Sequence, residues 1–254
     1  MIDFSRTNIL FTDVDDTLTT AGKLLPETYQ SLCDLANAGI DVIPVTGGCA
    51  GWCDQIVRTW PVRAVIGEGG AFYLEHSEQQ GYRRVYWGEA RQHAEDQQRI
   101  KNYIAQLNFD FDVRLANDQD FRLVDVAIDY NQDQHLNKEQ VYLLVSKLTQ
   151  AGFNVRQSSI HLNVWIGNFD KRAMSERLGF DLLGLSPEAL CHQSVFIGDA
   201  PNDESMFNWF PNTVGVANIQ KHLDKLQTKP VWITKNISGL GFTEMASAWL
   251  ADRN

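Results

Sequence analysis

Long apolar runs are absent from this sequence, and no stretch approaches the length that crosses a bilayer as a helix, which argues against a helical membrane span. Cysteine is scarce. The four present, Cys33, Cys49, Cys53 and Cys191, make neither a disulfide framework nor a zinc-ribbon spacing. Cys49 and Cys53 could share one helix face, but no other Cys or His lies close by in sequence to complete a metal site. The pair reads as buried free thiols. Reduced thiols suit a cytoplasmic protein, and residues 1–6 are too mixed and polar for a secretory leader. Positive charge is also in short supply. Lys and Arg number 22 against 32 Asp and Glu, a net charge of −10, which argues against nucleic acid and membrane as partners. An anionic ligand therefore needs local cations to offset the field. Repeats, low-complexity tracts and long linkers are lacking as well. What remains, 254 residues with 44% hydrophobic, is enough for one large domain or a core plus a smaller one.

The stretch over residues 9–18 organises the rest. Ile9-Leu10-Phe11 is an apolar run short enough for a buried strand. Three carboxylates follow within four positions, Asp13, Asp15 and Asp16, and then Thr17-Leu18 and a loop with Gly22. A buried parallel strand that delivers acids at its C-terminal end sits where open α/β sheets bind ligands. Clustered carboxylates repel one another, so a cation should hold them, and Mg²⁺ with a phosphate ligand fits best. The bland alternative is an acidic surface turn, since Asp is a routine turn former.

Periodicity supplies the frame. Pro26-Glu27 opens a helix with Tyr29, Leu32, Cys33 and Ala36 as its apolar stripe, and Gly39 ends it. A buried strand over residues 41–45 leads into Thr46-Gly47-Gly48, a helix runs to Trp60 before Pro61, and a third strand over 64–66 precedes Gly67-Glu68-Gly69-Gly70. This order predicts a parallel sheet with right-handed crossovers. The pattern then changes to a hairpin of residues 72–74 and 82–87 around a turn containing Gly81. Next come helices about Ile100–Leu107 and Val141–Leu148, and alternating strands near 124–129, 153–156 and 161–166. Alternation predicts an antiparallel sheet with one face covered and with Asp125 and Asp129 on its open side. From Lys171 the first style returns: a helix to about Leu183, strands over 194–197, 213–216 and 231–233, and helices to Phe210, near Leu223 and from Gly241. The expected class is α/β, a Rossmann-like parallel-sheet core over 1–81 and 168–254 with an inserted α+β cap domain over 82–167.

Four strand ends carry polar groups in this reading: Asp13 with Asp15, Thr46, the glycines after Ile66, and Asp199 with Asn202 and Asp203. Lys171 begins a helix beside them. Singly, each has an ordinary explanation: Thr46 as a helix N-cap, Lys171 as a solvated lysine, Asp199 as a turn residue. Together they supply a nucleophile, an acid, a metal cage, a hydroxyl donor and a cation.

In order, Asp13-Val14-Asp15-Asp16-Thr17-Leu18, Thr46-Gly47, Lys171 and Gly198-Asp199-Ala200-Pro201-Asn202-Asp203 resemble the four motifs of the haloacid dehalogenase (HAD) superfamily. The inserted segment is similar to the type-two cap of its sucrose-phosphate, trehalose-phosphate and mannosyl-phosphoglycerate phosphatase branch. The resemblance implies a Mg²⁺-dependent phosphomonoester hydrolase acting through an aspartyl-phosphate on a small phosphorylated metabolite, a sugar phosphate first. Asp13 would be the nucleophile and Asp15 the acid and base. Thr46, Gly47, Lys171 and Asn202 would hold the phosphoryl group. Asp13, Asp15, Asp199 and Asp203 would make the metal site, Asp15 through its backbone carbonyl, with Asp203 steadying Lys171 or the metal's water. Asn163, Trp165, Asn168 and Asp170 are candidates for touching the leaving group. Two departures stand out: Gly48 where many relatives have Arg, and Gly69 where many have Asn. Cys49 and Trp52 are candidates for reshaping the gap. The rival readings are a phosphomannomutase-like phosphotransferase and a non-catalytic binding module on the same fold.

Overall fold

The structure is a computed structural model that describes residues 2, 4–77, 81–158 and 160–253. The fully buried run β1 (Ile9–Thr12) is followed by a small hairpin, β2 (Thr19–Thr20) and β3 (Lys23–Leu24). Helix α1 (Pro26–Asn37) starts on Pro26 with Glu27 in its first turn, where a carboxylate complements the helix dipole. Then come β4 (Asp41–Pro44), α2 (Ala50–Thr59), β5 (Ala64–Gly67), β6 (Phe72–Ser77) and β7 (Gly81–Tyr86). The next group is α3 (Ala90–Gln106), β8 (Arg114–Leu115), β9 (Val126–Asp129), α4 (Lys138–Gln150), β10 (Asn154–Gln157) and β11 (His161–Trp165). Last are α5 (Lys171–Leu183), α6 (Pro187–Gln193), β12 (Ser194–Gly198), α7 (Glu204–Trp209), β13 (Thr213–Gly215), β14 (Trp232–Ile233) and α8 (Ser238–Asp252).

The central sheet runs β14-β13-β12-β1-β4, with every pair parallel. The chain leaves β1 toward β4 on one side and builds β12, β13 and β14 on the other. The order therefore reverses between β1 and β12, the place where a crevice opens beyond the strand ends. Strand alternation divides the core. Leu10, Val42, Val195, Ile197 and Val214 pack toward α1, α2 and α8, through Leu32, Ile56, Phe242 and Trp249 among others. Ile9, Phe11, Ile43 and Phe196 pack toward α5, α6 and α7, through Met174, Leu190 and Phe207. A separate antiparallel sheet, β10-β11-β9-β8, has a third apolar cluster beneath α3 and α4, including Ile100, Val126, Leu144 and Leu162.

Strand β5 lies parallel beside β4, through the bridge Val45–Ile66 and the bonds Thr46 N to Ile66 O and Arg63 N to Val42 O, and its longer ladder is antiparallel, to β6 and so to β7. The expected 81/82 boundary thus falls at the start of β7, and residues 78–80 of the expected turn lie outside the described residues. Asp125 and Asp129 are buried rather than on an open face. Asp129 accepts from the backbone N–H groups of residues 131–134, and Asp125 faces the crevice.

Candidate active site

Asp13 follows β1 directly, and its backbone N–H donates to Ile197 O, which ties it to the neighbouring strand. Lys171 is the first residue of α5, whose N-cap Asp170 accepts from Ala173 N at 2.8 Å. That cap fixes the start of the helix and turns Lys171 inward, where it is fully buried. Its Nζ donates to Asp13 Oδ1 at 2.6 Å and to Asp203 Oδ1 at 2.7 Å. Asp203 Oδ2 accepts from Asp199 N at 3.2 Å, and Asp199 Oδ2 accepts from Asn218 Nδ2 at 2.9 Å. Strand ends and a helix start separated by up to 190 residues thus meet in one cluster.

One oxygen from each of Asp13, Asp199 and Asp203 lies within 4.8 Å of the others. An all-oxygen donor set of this kind suits a hard divalent cation. Charge counting points the same way, because three carboxylates share one ammonium. Burial pushes the Asp13 carboxyl up to about 7, with Asp203 and Asp15 adding to the rise against Lys171. Burial, then Asp13 and Asp203, push Asp199 up to about 9. Burial works against the Lys171 ammonium, but Asp13 and Asp203 hold its pKa above the ordinary lysine value. A second cation would relieve the excess negative charge.

The other expected residues fall around this cluster. Asp15 keeps an exposed face to the crevice, although the protein packed about its carboxyl pushes its pKa up. Its carboxylate is not one of the three that converge. Gly47 lines the crevice, and Thr46 is fully buried with its Oγ1 accepting from Gly48 N at 2.9 Å. That turn leaves the Thr46 O–H free to donate, and the N-cap position of α2 falls to Cys49, which makes no side-chain capping bond. Asn202 also lines the crevice, and its Oδ1 has no hydrogen-bond partner among the described residues. Asn163 and Trp165 line the crevice, whereas Asn168 is exposed outside it and Asp170 serves as the α5 cap. A Cβ at Gly48 would meet Trp52 Cδ1 at 3.0 Å, so Trp52 closes the space beside Gly48.

No family model matches the chain, and no curated protein matches it in sequence. Solved structures match it in shape. A Thermoplasma acidophilum protein superposes with a TM-score of 0.74 at 15% identity, over 96% of this chain and 98% of its own. A haloacid dehalogenase-like hydrolase from B. subtilis gives 0.68 at 14%, over 95% and 99%. The sucrose-phosphatase of Synechocystis, solved with sucrose and phosphate, gives 0.67 at 16%, over 96% and 98%. The chain has the haloacid dehalogenase-like fold.

Within this HAD fold, the crevice has a second wall that the motifs did not announce. Glu68, at φ +44 just after β5, is buried and accepts from Ala50 N at 3.1 Å, Leu123 N at 2.9 Å, Val124 N at 2.7 Å and Asp125 N at 3.0 Å. Arg122 is buried beside it. Its Nη1 donates to Gly47 O at 3.1 Å and to both Asp125 oxygens, at 2.9 and 3.1 Å, and its Nη2 donates to Asp118 at 2.8 Å. Asp125 Oδ2 also accepts from Asn163 Nδ2 at 2.7 Å. The segment before β9 is thereby pinned to the loops after β4 and β5. The only sequence signal for Glu68 was its place in a glycine-rich strand end. Arg122 and Asp118 had none, and neither had Asn218, which steadies Asp199.

Proposed function

We propose that the chain is a Mg²⁺-dependent phosphomonoester hydrolase acting on a small phosphorylated metabolite, with residues 82–167 forming a cap over a core of residues 1–81 and 168–254. A sugar phosphate is the favoured substrate. The observation that carries this reading is the single buried ammonium of Lys171 bonded to Asp13 and Asp203, with Asp199 in reach of both. Asp13 Oδ attacks phosphorus, the bond from phosphorus to the ester oxygen breaks, and Asp15 gives that oxygen its proton. Asp15 then takes a proton from the water that attacks the aspartyl-phosphate, which releases phosphate and restores Asp13. Lys171, the Gly47 N–H and the Thr46 hydroxyl hold the transferring oxygens, and Asn202 supports them. Mg²⁺ held by Asp13, Asp199 and Asp203 would supply positive charge to the phosphoryl oxygens and keep Asp13 ionised. Arg122 and Glu68 hold the cap segment against the Gly47 loop, which keeps water out of the crevice.

The test is phosphate release from an aryl phosphate. Activity should depend on added Mg²⁺ and vanish in chelator, and Asp13→Asn should lower it by about 10⁴-fold or more with the fold intact by circular dichroism. Undiminished turnover in either condition rules the proposal out.

A further inference from the structure

The crevice is larger than a phosphoryl group requires. Its volume is about 800 Å³, within the range of sites that enclose a whole small molecule. Asp13 lies on its lining, and so do three cations that the chemistry above leaves unused: Arg156 on β10, and Lys221 and Lys225 after β13. Arg156 belongs to the antiparallel sheet, and the two lysines follow a strand of the parallel one. Arg122 and Lys171 spend their charge on carboxylates at hydrogen-bond distance. Among the described residues, Arg156, Lys221 and Lys225 form no ion pair. The Arg156 guanidinium instead lies 5.9 Å from the centre of the Trp165 ring, which also lines the crevice. In a chain of net charge −10, unpaired cations gathered at one cavity mark a place where a negative group is received. His161 Nε2 and Trp165 Nε1 add polar atoms, buried and without partners among the described residues, on the same lining.

We propose that Arg156, Lys221 and Lys225 bind a second anionic group on the leaving portion of the substrate, so that the preferred substrate is a phosphomonoester carrying a carboxylate or a second phosphate. This rests on the phosphatase reading and narrows it. His161 and Trp165 then hydrogen-bond hydroxyls between the two charged ends. The second anion does not react. Its attraction to the three cations aligns the ester at Asp13, and that benefit weakens with salt.

The experiment compares kcat/KM of the Mg²⁺-loaded protein for a hexose 6-phosphate, the corresponding aldonate 6-phosphate and the hexose 1,6-bisphosphate, with an aryl phosphate as reference. At about 20 mM ionic strength, one of the two doubly anionic esters should exceed the hexose 6-phosphate by about tenfold, and at about 0.5 M the advantage should fall to about twofold. Preference for the aldonate identifies a carboxylate, and preference for the bisphosphate a phosphate. The exposed-lysine variant Lys221→Gln/Lys225→Gln should shrink the same ratio. Ratios near one for both esters, or a preference that neither salt nor the variant reduces, overturn the inference while leaving the phosphatase reading in place. Failure to hydrolyse any of the substrates, the aryl phosphate included, overturns both.

Discussion

The charge cluster around Lys171 and the one around Arg122 are made of the same groups, yet their carboxylates are met differently. At Lys171, three carboxylates share one ammonium, and burial lifts Asp13 and Asp199 to about 7 and 9. At Arg122, two carboxylates share one planar guanidinium, Asn163 donates to Asp125, and Glu68 is met by four backbone N–H groups. Each cluster formally carries three carboxylates to one cation, but in the second every carboxylate oxygen accepts a hydrogen bond from Arg122, Asn163 or a backbone N–H, whereas the first has only Lys171, the Asp199 N–H and Asn218 as donors. Buried carboxylates short of donors are costly unless a ligand relieves them, so they point to chemistry. Near-complete pairing points to a brace.

Four changes would test that contrast, beginning with the largest effect. Lys171→Met removes the sole cation from the first cluster. Phosphate release should fall by about 10³-fold or more, because a phosphoryl-stabilising charge is lost. In chelator the variant should melt lower than the parent at alkaline pH, with the gap closing as pH falls and the Asp13 and Asp199 carboxyls, already raised in the parent to about 7 and 9 and higher without Lys171, protonate. Arg122→Met breaks the paired cluster and should cost about 3–5 kcal/mol by denaturant unfolding, because two carboxylates lose their partner. Adding Asp125→Asn should return part of that loss, the mark of direct coupling. Mg²⁺ at 100 times its dissociation constant should stabilise the parent by about 2.7 kcal/mol and Asp199→Asn by far less, read from melting curves with and without chelator.

The last change concerns Glu68. Burial and the nearby Asp125 push its carboxyl from 4.5 up to about 8, against the pull of its N–H donors. A folded value above the unfolded one means that protonation adds stability, in full below about pH 4.5, and that this contribution is lost as pH rises through 8. Glu68→Gln cannot titrate. The melting temperature of the parent relative to this variant should therefore decline between pH 5 and pH 9. A constant difference would mean that the four N–H groups keep Glu68 ionised throughout.

Particular residues show why some of this was legible in the sequence. Asp13, Thr46, Asp199 and Asp203 sit at the ends of short apolar runs, and Lys171 opens a helix. Strand direction alone places such positions on one edge. Asp125 and Asp129 were misread because a two-residue alternation separates a polar face from an apolar one without saying what the polar face meets. Here it meets Arg122 and backbone N–H groups instead of water. Strands β2, β3 and β8 are two residues each, too short for any period to register. Strand β5 has the composition of a buried parallel strand, but its longer ladder was settled by the β6 partner that follows it.

By itself, the sequence determined the alternation of buried strands and helices and the chemical character of the strand ends, because both follow from local periodicity and residue type. Only the tertiary structure decided which charges are met and which are left over. Pairing depends on groups such as the Glu68 carboxylate and the Val124 N–H, or the Arg122 guanidinium and the Gly47 carbonyl, that lie far apart in the chain and are brought within hydrogen-bond reach only when the sheet and the cap segment pack.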